Sequence, residues 1–532
     1  MAKGMRGKDK IEINPQFRRA LDLMERIDRH VFITGKAGTG KSTLLELFRS
    51  VTGKRMAVLA PTGVAALNVR GQTIHSFFGF KPDVTPEAVR KLARTGAKDA
   101  VYRNLDALVI DEISMVRADL LDCVEKFLRL NGPRPKRPFG GLQMIFFGDL
   151  YQLPPVVTGA EKDLFGRGLK AGRYETPYFF SSGIFERTDF DMEFVELEKI
   201  YRQRDPEFID LLNGIRNRSL SDELIERLNS RCRPAFSPSE DEFYITLTST
   251  NDLASARNSE KLASLPGRSR RYQGEIAGQF DRSSLPTDEL LELKPGAQVM
   301  LLTNDRQGRW VNGTIGRVVS IRERKEGDDI VTVDLPEAGR VELTPHTWEI
   351  FRFSYDRESD RIRSEAIGSF SQYPLRLAWA VTIHKSQGKT FDRVVVDIGR
   401  GAFAHGQVYV ALSRCTSFEG LTLKKPIAKK HIWMDWRIVR FLTRFQYRKA
   451  EEVQPAADKR ALVMRAVREG RDLEIVYLKP DDTKSRRRIR PEAVEMMEYH
   501  GKAFEGVRAF CFERGEIRHF RIDRMLEVRE AG

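Results

Sequence analysis

The stretch that most constrains this chain is Val31 to Phe48, VFITGKAGTGKSTLLELF. Val31, Phe32 and Ile33 form a short apolar run that predicts a buried strand, and Thr43 to Phe48 continue with helical character. Between them, Gly35-Lys36-Ala37-Gly38-Thr39-Gly40-Lys41-Ser42 fits the phosphate-loop spacing position by position. A strand, a glycine-rich turn and a helix in that order place backbone N–H groups at a helix N-terminus, where anions are favoured. Gly35, Gly38 and Gly40 permit turns that a Cβ would block. The N–H groups of the loop, Ala37, Thr39 and Thr43 among them, can converge on phosphate oxygens. Lys41 would reach the β- and γ-phosphates, and the Ser42 hydroxyl would hold Mg²⁺. The expectation is a nucleoside triphosphatase working on ATP and Mg²⁺, and the rest of the chain must say what the nucleotide drives.

A length of 532 residues is too great for one core and suggests about three or four domains. Apolar residues make up 41%, enough for real cores, yet no apolar run approaches the ~20 residues of a membrane span. The opening MAKGMRGKDK is basic with no apolar segment after it, unlike a secretory signal. The expectation is a soluble protein of the bacterial cytosol. Cys123, Cys232, Cys415 and Cys511 lie far apart, with neither zinc-ligand nor disulfide-framework spacing. The net charge of +15 fits a polyanionic partner, most simply nucleic acid, or a solvated basic surface.

Asn14 to Ile27 predicts an amphipathic helix ahead of the loop strand; its Gln16 is either a reader of the adenine edge or a surface glutamine. Met56 to Ala60 predicts a strand, and Pro61, Thr62 and Gly63 at its end can present a hydroxyl and N–H groups to an anion. Gly71 to Phe78 mixes hydrogen-bonding side chains with aromatics, so His75, Ser76 and Phe77 either form a surface for stacking single-stranded bases or belong to an ordinary loop with buried phenylalanines. Leu105 to Asp111 is an apolar strand ending in Asp111-Glu112: Asp111 is placed as the second Mg²⁺ contact, Glu112 to orient or deprotonate the attacking water. Leu142 to Phe147 is a further strand, followed by Gln152, which either senses the γ-phosphate or faces solvent.

Here the motifs combine. IDEISM followed by PFGGLQMIFFGDLYQLPP, with GKAGTGKST and APTGVAA before them, resembles the PIF (petite integration frequency) helicases, in the RecD-like branch of superfamily-one DNA helicases. The resemblance extends from about Asn14 to Leu423. It implies that Arg202, within LEKIYRQRDPEFIDLLNGIR, and Arg414, within VYVALSR, reach the γ-phosphate from a second motor domain. It implies that Thr382, His384, Lys385, Ser386 and Gln387 grip the DNA backbone and couple it to the nucleotide through Gly388. It also implies 5′-to-3′ travel. Phe17 stands where the family often has a glutamine, and residues 115–139 match the eukaryotic signature only loosely.

The implied architecture is α/β: a RecA-like motor domain over residues 1–190 with a small insertion near 77–103, and a second over 191–300 and 374–435. A small SH3-like β-barrel occupies 301–373 between them, where Asn312-Gly313 is a turn signal and a candidate DNA contact. Residues 436–462 read as a linker or exposed helix.

Beyond it, Leu473 to Tyr477 alternates like a strand, a turn follows at Pro480-Asp481-Asp482, and Val507 to Phe512 and Ile517 to Ile522 read as strands. Residues 463–532 resemble a WYL domain, a small Sm-like barrel, with Phe504-Glu505-Gly506 where the Trp-Tyr-Leu triplet would fall. The resemblance points Arg488, Arg518 and Arg524 toward single-strand or nucleotide-ligand binding. The resulting expectation is a monomeric ATP-dependent DNA helicase on single-stranded DNA and on duplex or structured junctions. An ATP-switched DNA-bound sensor, or a RecD-like motor subunit of a recombination complex, are the alternatives.

Overall fold

The strand ahead of the phosphate loop, His30–Gly35, is the fifth of six parallel strands. Their order is Gln72–Thr73, Met56–Ala60, Ala107–Ile110, Gln143–Phe147, His30–Gly35, Met192–Leu197. The chain is described from a computed structural model over residues 13–26, 29–92, 97–166, 172–203, 205–239, 242–399, 404–479, 484–499 and 502–531. The opening basic stretch and the Pro480-Asp481-Asp482 turn lie outside those residues.

All-parallel strands need covering on both faces, and their near-continuous apolar runs provide for it. Helices Pro15–Glu25 and Lys41–Val51 place Phe17, Ala20, Met24, Leu44 and Phe48 against Val31, Ile33, Val109 and Ile145. On the other side, Phe32 and Phe146 meet Phe179 edge-on and at a tilt. The C-terminal strand ends gather Gly35, Pro61, Asp111 and Gly148 along one edge, the edge where open α/β sheets bind ligands. Met192–Leu197 pairs along the whole phosphate-loop strand, so the first sheet runs past the expected boundary at residue 190.

A second parallel sheet has the order Ala380–Thr382, Ile245–Thr248, Val394–Asp397, Leu421–Leu423. Between its helix Asn251–Ser264 and the strand Ala380–Thr382, the chain is nearly all antiparallel β. Five strands, in the order Gly339–Leu343, Ile330–Leu335, Ile315–Arg322, Gln298–Leu301, Leu375–Leu377, enclose Val299, Val318, Val331, Val333 and Leu375. Two smaller sheets add Arg270–Gln273 with Leu290–Leu293, and the hairpin His346–Asp356/Arg361–Gln372 with Glu275–Gly278. Antiparallel strands thus begin at Arg270, ahead of residue 301, where the inserted barrel is expected to start. Its first strands carry mostly polar residues, which hid them in the hydropathy pattern, while Leu291 and Leu293 join its core.

The chain divides into two compact units, Met1–Leu212 with Leu220–Trp433, and Asn213–Ser219 with Met434–Gly532. In the second, residues 436–462 are not a linker. Helix Trp436–Val453 buries Ile438, Val439, Leu442 and Phe445, and helix Ala456–Glu469 sends Val463 and Ala466 into the core of the sheet that follows. The two helices part at Gln454-Pro455, because proline cannot continue the first. The sheet is antiparallel, in the order Glu516–Arg521, Lys502–Cys511, Lys484–Tyr499, Leu473–Leu478, Met525–Glu530. Pro491, which has no N–H for a ladder, sits at its register shift.

Candidate functional site

Gly38 and Gly40 take φ of +81° and +86°, the left-handed region that lets the loop turn its N–H groups inward. A Cβ on Gly38 would stand 2.5 Å from the Cβ of Arg202, so glycine is also what lets Arg202 approach. Tyr201 N–H donates to the Gly38 carbonyl at 2.9 Å, fixing that approach. Lys41 Nζ donates to the carbonyls of Gly35 and Lys36 at 2.7 and 3.1 Å, wrapped by the loop it terminates. Ser42 and Thr43 lie exposed at the helix start. Gln16 accepts from the Glu198 N–H at 3.0 Å, which ties the first helix to the segment leading to Arg202.

Asp111 and Glu112 follow the strand Ala107–Ile110. Glu112 adopts φ +51°, ψ +43°, a strained conformation for a non-glycine residue. Its N–H donates to Asp111 Oδ1 at 2.9 Å. Burial pushes both carboxyl groups above the usual range, the neighbouring Asp111 adding to the rise at Glu112 and Lys41 opposing it at both.

Gln152 is 6% exposed, not a solvent-facing glutamine; its Nε2 donates to Asp149 Oδ2 at 3.2 Å. From the second sheet's side, Gln387 Nε2 donates to Glu112 Oε2 at 3.1 Å and to Gln152 Oε1 at 3.3 Å. Gln387, expected on the DNA backbone, thus faces the carboxylate of the first sheet. The loop residue Gly406 comes so close to Gln152 that a Cβ would lie 2.2 Å from its carbonyl oxygen.

Arg202 Nη1 donates to the Ser413 carbonyl at 3.1 Å. Arg414, 1% exposed, donates through Nε to Val410 O at 2.9 Å and through Nη2 to Ser413 Oγ at 2.9 Å. Burial pulls Arg202 down to about 10 and Arg414 down to about 9, with Arg202 adding to the second shift. Two residues missed in the sequence complete the junction. Tyr409 OH accepts the Ala37 N–H of the phosphate loop at 3.0 Å. Gln203 Nε2 donates to the carbonyls of Ser413 and Cys415 at 3.0 and 2.9 Å. Both stand inside motifs already singled out, Tyr409 in VYVALSR and Gln203 beside Arg202, and that adjacency was the available signal.

The expected DNA residues separate into two groups. His384, Lys385 and Ser76 are exposed, and His75 is partly so. Pro61 and Gly63 stand at the first sheet's edge, with Ser284 of the insert against Gly63. Thr62 caps the following helix, accepting from Ala65 N–H at 3.3 Å. Asn312 and Gly313 form the expected turn, Gly313 N–H donating to Leu301 O at 2.8 Å. Gly388 has φ +78° with open space around it. Three residues are corrected. Phe77 is 8% exposed, its ring against Phe78, Tyr102 and Phe353, because the short helix Ile74–Phe78 turns its apolar side inward. Thr382 accepts from Lys385 N–H, and buried Ser386 donates to Ile383 O, so both hydroxyls hold the turn rather than face outward.

In the C-terminal unit, Arg488 and Arg490 fork onto Asp472 and flank the Phe512 ring, and Arg518 pairs with Glu516. Arg524 has no ion pair among the described residues.

Two parallel sheets facing one another across a phosphate loop, with an acidic strand end on one side and the half-buried Arg202 and buried Arg414 on the other, define a P-loop motor fold of the helicase type. The chain belongs to the PIF1-like helicase family. Residues 17–223 match that family and residues 459–530 match the WYL domain. An ATP-dependent DNA helicase Pif1 of Bdellovibrio bacteriovorus is 34% identical over 434 residues, covering 80% of this chain and 90% of that protein. The human ATP-dependent DNA helicase PIF1 is 37% identical over 405 residues, 74% of this chain. The match spans only 57% of the human protein's length. Among solved structures, Bacteroides sp. Pif1 in complex with ADP-AlF4 superposes with a TM-score of 0.74 at 35% identity, covering 82% of this chain and 98% of that one. Bacteroides Pif1 bound to single-stranded DNA gives 0.58 at 35% identity, with 81% and 96% covered.

Proposed function

We propose that this chain is an ATP-dependent DNA helicase that travels along single-stranded DNA, 5′ to 3′, in the cytoplasm and as a monomer. The observation that carries the reading is the bridge from Gln387 to Glu112 and Gln152, which joins the would-be DNA-gripping turn to the would-be hydrolytic carboxylate. The relatives crystallised with ADP-AlF4 and with single-stranded DNA support it. So does the net charge of +15. No helix among the described residues is long and apolar enough to cross a membrane.

The two sheets act as RecA-like halves. Lys41 and the loop N–H groups hold the phosphates from the first half; Arg202 and Arg414 neutralise charge on the γ-phosphate from the second. Burial depresses both guanidinium groups, so a phosphate counter-charge restores what desolvation takes away. Ser42 and Asp111 would hold Mg²⁺: a hydroxyl and a carboxylate are the hard oxygen donors it takes, and the partly desolvated Asp111 carboxyl favours a cation beside it. The metal supplies charge neutralisation at the phosphates when bound. Glu112 accepts the proton of the attacking water, its raised affinity for that proton suiting a base near neutrality. Gln387 follows the strand held by His384 and Lys385, so the carboxylate senses whether DNA is in place. The five-stranded insert sheet acts as an SH3-like barrel against duplex or junction DNA. The C-terminal sheet acts as an Sm-like barrel for the single strand.

The test is steady-state hydrolysis with and without single-stranded DNA. The helicase reading requires stimulation by the strand, loss of turnover in Lys41→Ala and retention of ATP binding with slow turnover in Glu112→Gln. Slow hydrolysis indifferent to DNA would favour a nucleotide-switched sensor.

A further inference from the structure

A backbone N–H is a single donor, and the one at Ala37 of the phosphate loop is already given to a side chain. Tyr409 OH accepts it at 3.0 Å, from 372 positions along the chain and within the same compact unit. Thr39 N–H and Lys41 Nζ donate inside the loop, to the carbonyl of Lys36 at 3.4 Å and to those of Gly35 and Lys36. Ala37 instead meets a phenol that arrives from the second sheet's half. Ala37 is 5% exposed, so its N–H without an acceptor would carry the cost of a desolvated donor. The phenol oxygen removes that cost, and a phosphate oxygen would remove it equally.

The backbone around Tyr409 holds the phenol in that place. The helix Gln407–Leu412 follows Gly406, which takes φ +74°, and all six of its residues are buried. At its start, His405 Nε2 lies 3.1 Å from the Leu150 carbonyl; a carbonyl only accepts, so Nε2 carries the proton and donates. At its end, Ser413 N–H donates to the Tyr409 carbonyl at 2.9 Å, and Arg414 Nε donates to Val410 O. Tyr409 itself is 4% exposed. One fixed turn therefore carries both the phenol on Ala37 and the arginine assigned to the γ-phosphate.

We propose that the Tyr409 phenol is a built-in competitor of the nucleotide: it takes the acceptor position on the Ala37 N–H that a phosphate oxygen takes, yields it when nucleotide binds and reclaims it when the product leaves. The proposal rests on the phosphate-loop reading above. At Ala37 the nucleotide then exchanges one acceptor for another instead of adding a bond. Its apparent affinity falls in proportion to the fraction of chains in which the N–H is free to receive it. Because the phenol shares its turn with Arg414, the exchange also ties the arrival of phosphate to the position of that arginine.

Fluorescence titration of the full chain with mant-ADP and Mg²⁺ tests it. Tyr409→Phe keeps the ring and deletes only the acceptor, so nucleotide binding should tighten about two- to tenfold. A tyrosine that merely packs the junction gives the opposite result, an affinity unchanged or weakened. Tyr355→Phe, which deletes a hydroxyl that donates to Asp360 on the insert's hairpin, should bind as the wild type does. Heat unfolding gives a second readout: Tyr409→Phe should unfold at a lower temperature without nucleotide, and saturating ADP should raise its midpoint by more than it raises that of the wild type. Affinity in Tyr409→Phe at or below the wild-type value, or equal tightening in Tyr355→Phe, would overturn the competitor alone. A wild-type chain that binds no mant-ADP would remove the phosphate-loop reading and the competitor with it.

Discussion

Glu112 shows what a residue is asked to do here. Its left-handed backbone costs on the order of 1–3 kcal/mol, a strain that the surrounding packing must hold. It places the carboxylate against the Gln387 amide. Glu112→Gln should keep the shape and remove the base, so steady-state turnover should fall by about 100-fold or more while ATP still binds. Unchanged turnover would reject Glu112 as the base. Gln387→Ala should spare hydrolysis without DNA far more than DNA-stimulated hydrolysis, lowering the stimulation about tenfold; equal loss in both assays would reject its coupling role. Much of this was legible at the residue level. The glycine spacing, Lys41 and the Asp111-Glu112 pair are local patterns, and local patterns survive without coordinates. Gln387 and Tyr409 were legible as members of motifs but not in their contacts, because their partners lie more than 200 positions away and only the fold brings them together.

Strands and helices were read best where hydropathy was strong. The apolar runs at Val31, Met56 and Leu105 became central parallel strands as their composition requires. The polar strand Arg270–Gln273 was missed because Tyr272 is its one side chain packed against the core, while its partner Leu290–Leu293 supplies the fully buried Leu291 and Leu293. Within residues 436–462, expected to be a linker or an exposed helix, charged residues alternate with the buried Ile438, Leu442 and Phe445, and their helical spacing was the signal that this helix packs one face inward. The phosphate-loop strand also carries a pH response. His30 at its start stacks on Phe190 and accepts the Met144 N–H through Nδ1, and burial lowers it to about 4 from 6.5. The unfolded chain then binds the proton more readily than the folded one. Stability from this group is intact above about pH 6.5, falls as pH drops toward 4, and changes no further below. The loss should reach up to about 3 kcal/mol. Denaturant unfolding at a series of pH values should show a shallower decline in His30→Gln over that window. An identical decline in both chains would assign the effect elsewhere.

At the scale of the molecule, the composition indicated a polyanionic partner but not where it binds. Asp472 engages Arg488 and Arg490, and Glu516 engages Arg518, which leaves Arg524 the least committed of the basic residues singled out in the C-terminal unit. Replacing Arg488, Arg518 and Arg524 together by glutamine should weaken single-strand affinity and its salt dependence without abolishing stimulated hydrolysis. If affinity and salt slope both stay at wild-type values, that unit does not grip DNA. The central claim is that hydrolysis at one sheet edge drives travel along a strand held by the other. The measurement that meets it most directly is unwinding of a 5′-tailed and a 3′-tailed duplex beside ATP hydrolysis with and without single-stranded DNA. The account predicts strong stimulation and opening of the 5′-tailed duplex alone. Hydrolysis unaffected by DNA, with neither duplex opened, would contradict it.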